Sequence, residues 1–349
     1  MDTFINKTNE EMQLYFEQAQ SRLNLPPASI EKDFWVCWTL WKLFSLPEWG
    51  KQLVFKGGTS LSKGWGLIER FSEDIDIVIN RDFLGFGGDK SPEKAPSKKK
   101  RKSFLAQLKE TCQLRIHSEL KPLLERCFMD ALPPDMKWSL NIASPEEDPE
   151  GQTLLFKYPG TLTGSSLYLH PQVKIELGAR SDTWPTESPL IKPYLAGAFP
   201  DIFTIDEFSV QAVAPERTFW EKAMLLHEET FRPPEKQRKQ HLARHYYDLW
   251  CLIKKGVAER AIQNPKLFSG VAEHRAIFFN QHWVDYKTLK PGSLRLLPRE
   301  DQIATWRQDY NAMRGEMFFG EVPDFDEILK VVGSFEREFN IGETKNNNK

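Results

Sequence analysis

Two aspartates interrupt an apolar run. Asp74 and Asp76 stand among Ile75, Ile77, Val78 and Ile79 at the end of the stretch VFKGGTSLSKGWGLIERFSEDIDIVI, residues 54 to 79. Side chains of a β-strand alternate between its two faces, so Ile75, Ile77 and Ile79 fill one face while Asp74 and Asp76 share the other. Two residues apart on one face is roughly 6 to 7 Å. At an effective dielectric constant near 20, two carboxylates at that separation repel by about 2 to 3 kcal/mol. A divalent cation between them relieves the repulsion. Magnesium suits the place, because it is hard, takes a few carboxylates and leaves positions for phosphate oxygens. The plainer reading is a solvated strand face, and a DxD pattern alone is a weak signal.

The residues upstream change the balance. Gly57-Gly58 ends a strand (Leu53 to Phe55), and Thr59-Ser60 opens a helix. Such a turn exposes backbone N–H groups at a helix N-terminus, which is an anion site. Thr59 and Ser60 add hydroxyl donors, and Lys63 lies one turn on. The alternative is a tight turn with Ser60 as an ordinary N-cap. The pattern is neither a Walker A motif nor GxGxxG. A phosphate cradle followed by an acidic strand is a metal–triphosphate arrangement, and its chemistry calls for a third carboxylate from another strand. VKIELGAR (173 to 180) supplies Glu176, which shares a face with Lys174, while Val173, Ile175 and Leu177 form the other face.

Around this centre the periodicity predicts helices over 9 to 24 and across IEKDFWVCWTLWKLF, the second apolar on most faces and therefore buried. The tract GFGGDKSPEKAPSKKKRK (85 to 102) reads as a mobile loop, and a long helix is expected from Ser103 to Met129. Strands are expected at 137 to 142, 152 to 157, 166 to 178 and 207 to 213. Beyond that the chain turns helical, over 216 to 230, 240 to 255, 257 to 263, 300 to 314 and 325 to 338. The division implied is an α/β lobe over 1 to 205, a helical lobe over 206 to 340 and a disordered tail over 341 to 349.

Bulk properties exclude little else. A chain of 349 residues, 40% hydrophobic and 28% charged with a net charge of −2, has an ordinary soluble composition and no global field for a polyanion. Cys37, Cys112, Cys127 and Cys251 form no CxxC pair, so free thiols of a reducing cytosol are expected. No secretory signal and no apolar run of membrane-spanning length is read in the sequence, so a cytoplasmic protein is expected.

FKGGTSLSK followed by IERFSEDIDIVI resembles the first motif of the polymerase β-like nucleotidyltransferases. More narrowly it resembles the AbiEii/AbiGii-type toxins of bacterial type IV toxin–antitoxin and abortive-infection systems. Lys174-Ile175-Glu176 is similar to that family's Kx[DE] motif. PERTFWEKAMLLHE (215 to 228) is similar to its first helical motif, placing Lys222 at the nucleotide, and ARHYYDLWCL (243 to 252) to its second, placing Arg244 and Asp248. The resemblance spans roughly 28 to 255, with two departures. The basic tract at 85 to 102 has the look of an insertion, and His245 stands where such proteins often carry Asp. Read without the resemblance, Glu221-Lys222 is equally a solvated helix face, and Arg244 with Asp248 an ordinary i,i+4 ion pair.

The resemblance implies an α+β fold, a mixed-sheet nucleotidyltransferase lobe followed by a helical lobe. It implies transfer of NMP from an NTP to RNA, typically a tRNA 3′ end, in phage defence and with an antitoxin encoded nearby. Asp74, Asp76 and Glu176 would hold Mg²⁺ or Mn²⁺ and, with Lys174 offsetting the negative charge that builds, would carry the catalysis. Gly57, Gly58, Thr59, Ser60, Lys63 and Lys222 would bind the nucleotide. The run Lys98, Lys99, Lys100, Arg101, Lys102 is either a solvated linker or a grip on RNA phosphates. His241 and His245 read as surface or RNA-facing histidines rather than zinc ligands. The competing readings are an acceptor that is a protein hydroxyl (AMPylation) or a small molecule, and a catalytically silent NTP- or RNA-binding protein.

Overall fold

A computed structural model of the chain describes residues 1–70, 74–162, 170–314, 317–320 and 322–346. It divides into two compact units, one of residues 1–65 and 72–212, the other of 66–71 and 213–349.

The first unit opens with α1 (Asp2–Ile5) and α2 (Asn9–Leu23). A capping box starts α2, with Thr8 Oγ1 accepting from the Glu11 N–H at 3.2 Å and Glu11 accepting from the Thr8 N–H at 2.9 Å. Next comes α3 (Pro27–Phe44), with Pro27 in its first turn, where no helical donor is lost. As its all-round apolar pattern requires, α3 is buried on nearly every face. Trp35 and Trp38 meet Phe156, and Trp38 also meets Phe128. By area, burying each indole contributes roughly 4 to 6 kcal/mol. Three consecutive charged residues of the same helix, Glu31, Lys32 and Asp33, are buried too.

After α3 come β1 (Leu53–Lys56), α4 (Gly57–Trp65) and β2 (Asp74–Ile79). The tract from 85 to 102 is not one loop. Two single 3₁₀ turns, Gly88–Lys90 and Pro92–Lys94, lead into α5 (Lys98–Arg115), so the basic run forms the first turns of a helix. Ser97 caps it by accepting from the Lys100 N–H at 3.2 Å, and lysine and arginine are themselves good helix formers. A π turn (Ile116–Leu120) joins α5 to α6 (Lys121–Ala131). The strands that follow are β3 (Ser139–Ile142), β4 (Thr153–Lys157), β5 (Gln172–Gly178), β6 (Thr186–Glu187) and β7 (Leu190–Ile191). The part of the expected 166–178 strand before 170 lies outside the described residues. The short α7 (Tyr194–Ala198), β8 (Phe208–Ser209) and β9 (Ala212–Val213) complete the order. A mixed seven-stranded sheet, β3-β4-β5-β2-β1-β9-β6, results, with β1 antiparallel and β5 parallel to β2.

The second unit holds α8 (Pro215–Thr230), α9 (Arg244–Lys254), α10 (Val257–Ile262), α11 (Pro265–Phe278), α12 (Glu300–Arg314) and α13 (Phe325–Asn346). Three features of this unit differ from the sequence expectation. α9 starts at 244 rather than 240, because His241 adopts φ +62° and the Asp309 carboxylate takes the N–H groups of His241 and Ala243 at 2.7 and 2.8 Å. α11 has no counterpart in the sequence expectation. It is opened by Asn264, whose side chain accepts from the Leu267 N–H at 3.1 Å, and it tolerates Gly270 within it. α13 also continues past residue 341, where a disordered tail was expected. The α+β architecture, a mixed-sheet lobe and a helical lobe, is the one the resemblance implied.

Candidate active site

Strand register assembles the acidic face. Asp74 pairs with Lys174 and Asp76 with Glu176 across the parallel β2–β5 ladder. Partners in such a ladder stand about 4.8 Å apart and face the same way. Val173, Ile175 and Leu177 turn into the core while Lys174 and Glu176 stay half-exposed, the alternation their spacing required. Asp74, Asp76, Lys174 and Glu176 therefore form one patch on two neighbouring strands. Lys56, opposite Asp76 on the antiparallel side, joins the same face. Sequence reasoning passed over Lys56, although it sits next to Gly57 and shares its face of β1 with Val54, opposite the buried Leu53 and Phe55.

The electrostatics follow from this crowding. Partial burial pulls the Lys174 ammonium down. The hydrogen bond and charge of Glu176, with the charges of Asp74 and Asp76, more than reverse that and hold it above the ordinary lysine value. Glu176 is thus turned onto Lys174. Among the described residues no three His, Cys, Asp or Glu side chains close into a metal shell. The donor set on this face is nonetheless all carboxylate oxygen, which suits a hard dication and not a soft one, provided Glu176 leaves Lys174 to reach it.

The glycine turn is fitted to this face. Gly57 has φ +78°, and a Cβ built on it would lie 2.1 Å from Asp76 Oδ2. Gly57 is required on both counts, conformation and approach. Gly57→Ala is therefore expected to cost about 1 to 3 kcal/mol of stability, as strained non-glycine backbone does, and to lower at least tenfold the nucleotidyl transfer that the resemblance implies. Thermal melts with a label-transfer assay check both, and wild-type activity in the variant would remove Gly57 from the site.

Side chains expected to cradle phosphate are otherwise engaged. Thr59 and Ser60 are fully buried. The Thr59 hydroxyl donates to the Asp74 carbonyl at 2.5 Å and the Ser60 hydroxyl to the Gly57 carbonyl at 2.9 Å. Lys63 is enclosed as well, its Nζ 2.6 Å from Asp33 Oδ1, with only 6% and 4% of the two side chains exposed. Burial opposes the Lys63 charge, but Asp33 lifts the ammonium above its ordinary value. These three residues hold the turn in shape. The i,i+3 spacing that suggested a reach toward an anion instead points Lys63 into the core, where Asp33, thirty positions away, was not recognisable as its partner. Of the expected cradle, what stays suited to phosphate is the backbone at Gly57 and Gly58.

The helical motifs meet within the second unit. Asp248 is fully buried and accepts from Arg70 Nε at 2.7 Å, Arg70 Nη2 at 3.0 Å and Lys222 Nζ at 2.7 Å. Those three hydrogen bonds replace the expected i,i+4 pair, and among the described residues Arg244 makes no ion pair with Asp248. Burial alone would raise the Asp248 carboxyl, but Arg70 and Lys222 drive it far below the usual carboxylate range. Burial and the neighbouring cations Arg70 and Arg244 keep Lys222 below the ordinary lysine value in spite of Asp248. The same surroundings hold His245 neutral, burial first and then Lys222 and Arg244. Its Nδ1 lies 3.4 Å from Lys222 Nζ and so acts as an acceptor. His241 and His245 belong to no metal cluster among the described residues. Sequence reasoning missed Arg70 because it lies 178 positions from Asp248, on a segment held by an Arg70–Phe318 bridge and by the Phe319 N–H donating to the Glu69 carbonyl at 3.0 Å.

A carboxylate patch on neighbouring strands, beside a glycine turn, is an arrangement suited to nucleotidyl transfer. Residues 38–331 match the family model described as nucleotidyl transferase AbiEii toxin of the type IV toxin–antitoxin system, so the chain belongs to that family of nucleotidyltransferases. No curated protein matches the chain. Among solved structures, the chain is similar to the nucleotidyltransferase toxin MenT4 of Mycobacterium tuberculosis, at 18% identity and TM-score 0.44, covering 97% of this chain and 93% of that one. It is also similar to JHP933 of Helicobacter pylori, at 15% identity and TM-score 0.41, covering 95% and 96%. No helix among the described residues is long and apolar enough to cross a membrane.

Proposed function

We propose that this cytoplasmic nucleotidyltransferase moves an NMP unit from an NTP to an RNA acceptor, a tRNA 3′ end, as the toxin of an antitoxin-paired phage-defence system. The observation that carries the chemistry is the register placing Asp74, Asp76, Glu176 and Lys174 on one face. The acceptor hydroxyl oxygen attacks the α-phosphorus, the bond from that phosphorus to the bridging oxygen breaks, and pyrophosphate leaves in line. Glu176, released from Lys174, takes the hydroxyl proton. Lys174 and Lys56 balance the charge that builds on the phosphoryl oxygens. The backbone N–H groups at Gly57 and Gly58 receive the phosphates. Asp74, Asp76 and Glu176 are the residues that would hold Mg²⁺ or Mn²⁺, which would supply charge neutralisation at the triphosphate and activation of the hydroxyl.

The test is incubation with total tRNA and each α-labelled NTP in Mg²⁺. Label on RNA supports the reading, while label on protein alone moves the acceptor to a protein hydroxyl.

The basic run gives a second expected result. Lys98, Lys99, Lys100 and Lys102 are exposed, and the first turn of α5 carries no acidic residue. Cations at the positive end of a helix oppose its dipole, so the run is not there for helix stability. Changing Lys98, Lys99, Lys100, Arg101 and Lys102 together to Gln should weaken tRNA binding. Its log–log salt slope should flatten by roughly 0.7 to 0.9 for every phosphate that the variant no longer neutralises. NTP binding and thermal stability should not fall. Filter binding across a salt series checks this, and an unchanged slope would take RNA off this surface.

A further inference from the structure

The pair Asp33–Lys63 has no place in the transfer chemistry, yet both charges are buried in the core of the first unit. Asp33 lies on α3, Lys63 on the last turns of α4. The second Asp33 oxygen accepts from the N–H of Tyr194, the first residue of α7, at 2.7 Å. The Lys63 ammonium also sits 3.6 Å from the centre of the Tyr194 ring. One carboxylate and one ammonium thus tie three helices together at a fixed, directional junction.

We propose that Asp33, acting through Lys63, is a positioning residue for nucleotidyl transfer, setting where α4 lies and with it the Asp74–Asp76 face. The proposal rests on the reading that those two aspartates carry the reaction. A buried ion pair is seldom more stabilising than apolar residues of similar volume, so stability alone does not account for placing one here. What it supplies is a defined position, and α4 carries that position to the site. Lys63 and Gly57 are six residues apart on one helix, about 9 Å of rise. At the far end α4 meets the catalytic strand twice. The Thr59 hydroxyl donates to the Asp74 carbonyl at 2.5 Å, and Gly57 is so close to the Asp76 carboxylate that a methyl group would not fit between them. A slide of α4 by even about 1 Å would break the hydrogen bond or crowd the carboxylate, and a misplacement of that size at a reacting centre is kinetically expensive.

Two variants and two readouts test this. Asp33→Asn keeps the side chain's shape and its acceptor for Tyr194 but removes the charge. The double variant Asp33→Leu/Lys63→Met replaces the pair by apolar groups. In transfer from α-labelled NTP to total tRNA, both should lose at least tenfold in kcat with the KM for NTP within about twofold of wild type. Thermal stability should recover in the double variant relative to Lys63→Met alone while kcat does not. By hydrogen exchange, a readout that needs no acceptor, peptides spanning 57–62 and 74–79 should exchange faster in Asp33→Asn, with the second unit unchanged. Wild-type kcat in the folded double variant, or unaltered exchange in those peptides, overturns the proposal. So does a Lys63→Met variant with unchanged kcat and a tenfold higher KM, which would put Lys63 on the phosphates. An Asp74→Asn control keeps the two readings apart. If it remains active, the catalytic assignment fails; if it is inactive while the double variant matches wild type, only the positioning role fails.

Discussion

Asp76→Asn will reduce nucleotidyl transfer at least a thousandfold without unfolding the protein. Asp76 is the point where the site's parts converge. It faces Glu176 across one ladder and Lys56 across the other, and its Oδ2 occupies the space where a side chain at position 57 would begin. The substitution keeps the shape and removes the charge. On the proposed mechanism that removes a carboxylate from the metal-holding set and lowers the field that keeps Lys174 protonated, so both charge-balancing elements weaken together. The fold has little reason to respond. Asp76 is half-exposed, and β2 is held by its buried face, Ile75, Ile77 and Ile79. The expected change in stability is within about 1 kcal/mol, the usual range for a substitution outside the core. Single-turnover transfer alongside denaturant unfolding measures both quantities. Activity within tenfold of wild type in a folded Asp76→Asn protein would remove this face from catalysis. Growth inhibition that persists in that variant would separate toxicity from nucleotidyl transfer.

The acidic face is legible in the sequence because a strand's period is short and its consequences are local. DIDIVI and VKIELG each announce which residues share a side, and apolar alternation fixes which side is buried. Their mutual register, Asp76 beside Glu176, follows once both buried faces are packed on the same core. The cradle misleads for the opposite reason. A hydroxyl or an ammonium near a helix N-terminus has the same sequence signature whether it faces a phosphate or the protein's own backbone. What decides between them is a partner far along the chain, Asp33 for Lys63 and the Asp74 carbonyl for Thr59. The charges of α3 illustrate the same limit. A run apolar on most faces predicts burial correctly, but burial of Glu31 and Asp33 depends on Thr161 and Lys63, which periodicity cannot supply. The basic tract reads as a loop from its Gly and Pro content, and that content describes residues 85 to 97. Beyond the Ser97 cap the lysines and arginine are helix formers, and composition taken over the whole tract hides the boundary.

Asp248→Asn, in contrast to Asp76→Asn, will act chiefly on stability. Asp248 is fully buried and is the shared partner of two buried cations, Arg70 and Lys222. Neutralising it leaves both charges without the carboxylate that compensated them, a change that costs about 3 to 5 kcal/mol when one partner of a buried pair is removed. That is a large part of the roughly 5 to 15 kcal/mol by which a folded domain is stable. The effect has a pH signature whose sign is fixed by the direction of the shift. The Asp248 carboxyl is held far below its ordinary value by Arg70 and Lys222 against the effect of burial. Its contribution is therefore fully present above the unfolded carboxyl value, about 3.9, and is lost as pH falls from there toward the folded value. In that window the unfolded chain binds the proton that the folded one refuses, and stability drops by up to about 1.4 kcal/mol per pH unit from this group. Asp248→Asn has no such proton to bind. Unfolding curves at pH 3, 4, 5 and 7 should show the variant less stable than wild type at pH 5 and 7 by a near-constant margin, with the gap narrowing below pH 4. A margin that stays constant down to pH 3 would mean that Asp248 is not held ionised by its two cations. A variant as stable as wild type at pH 7 would mean that Arg70 and Lys222 find other partners when it is gone.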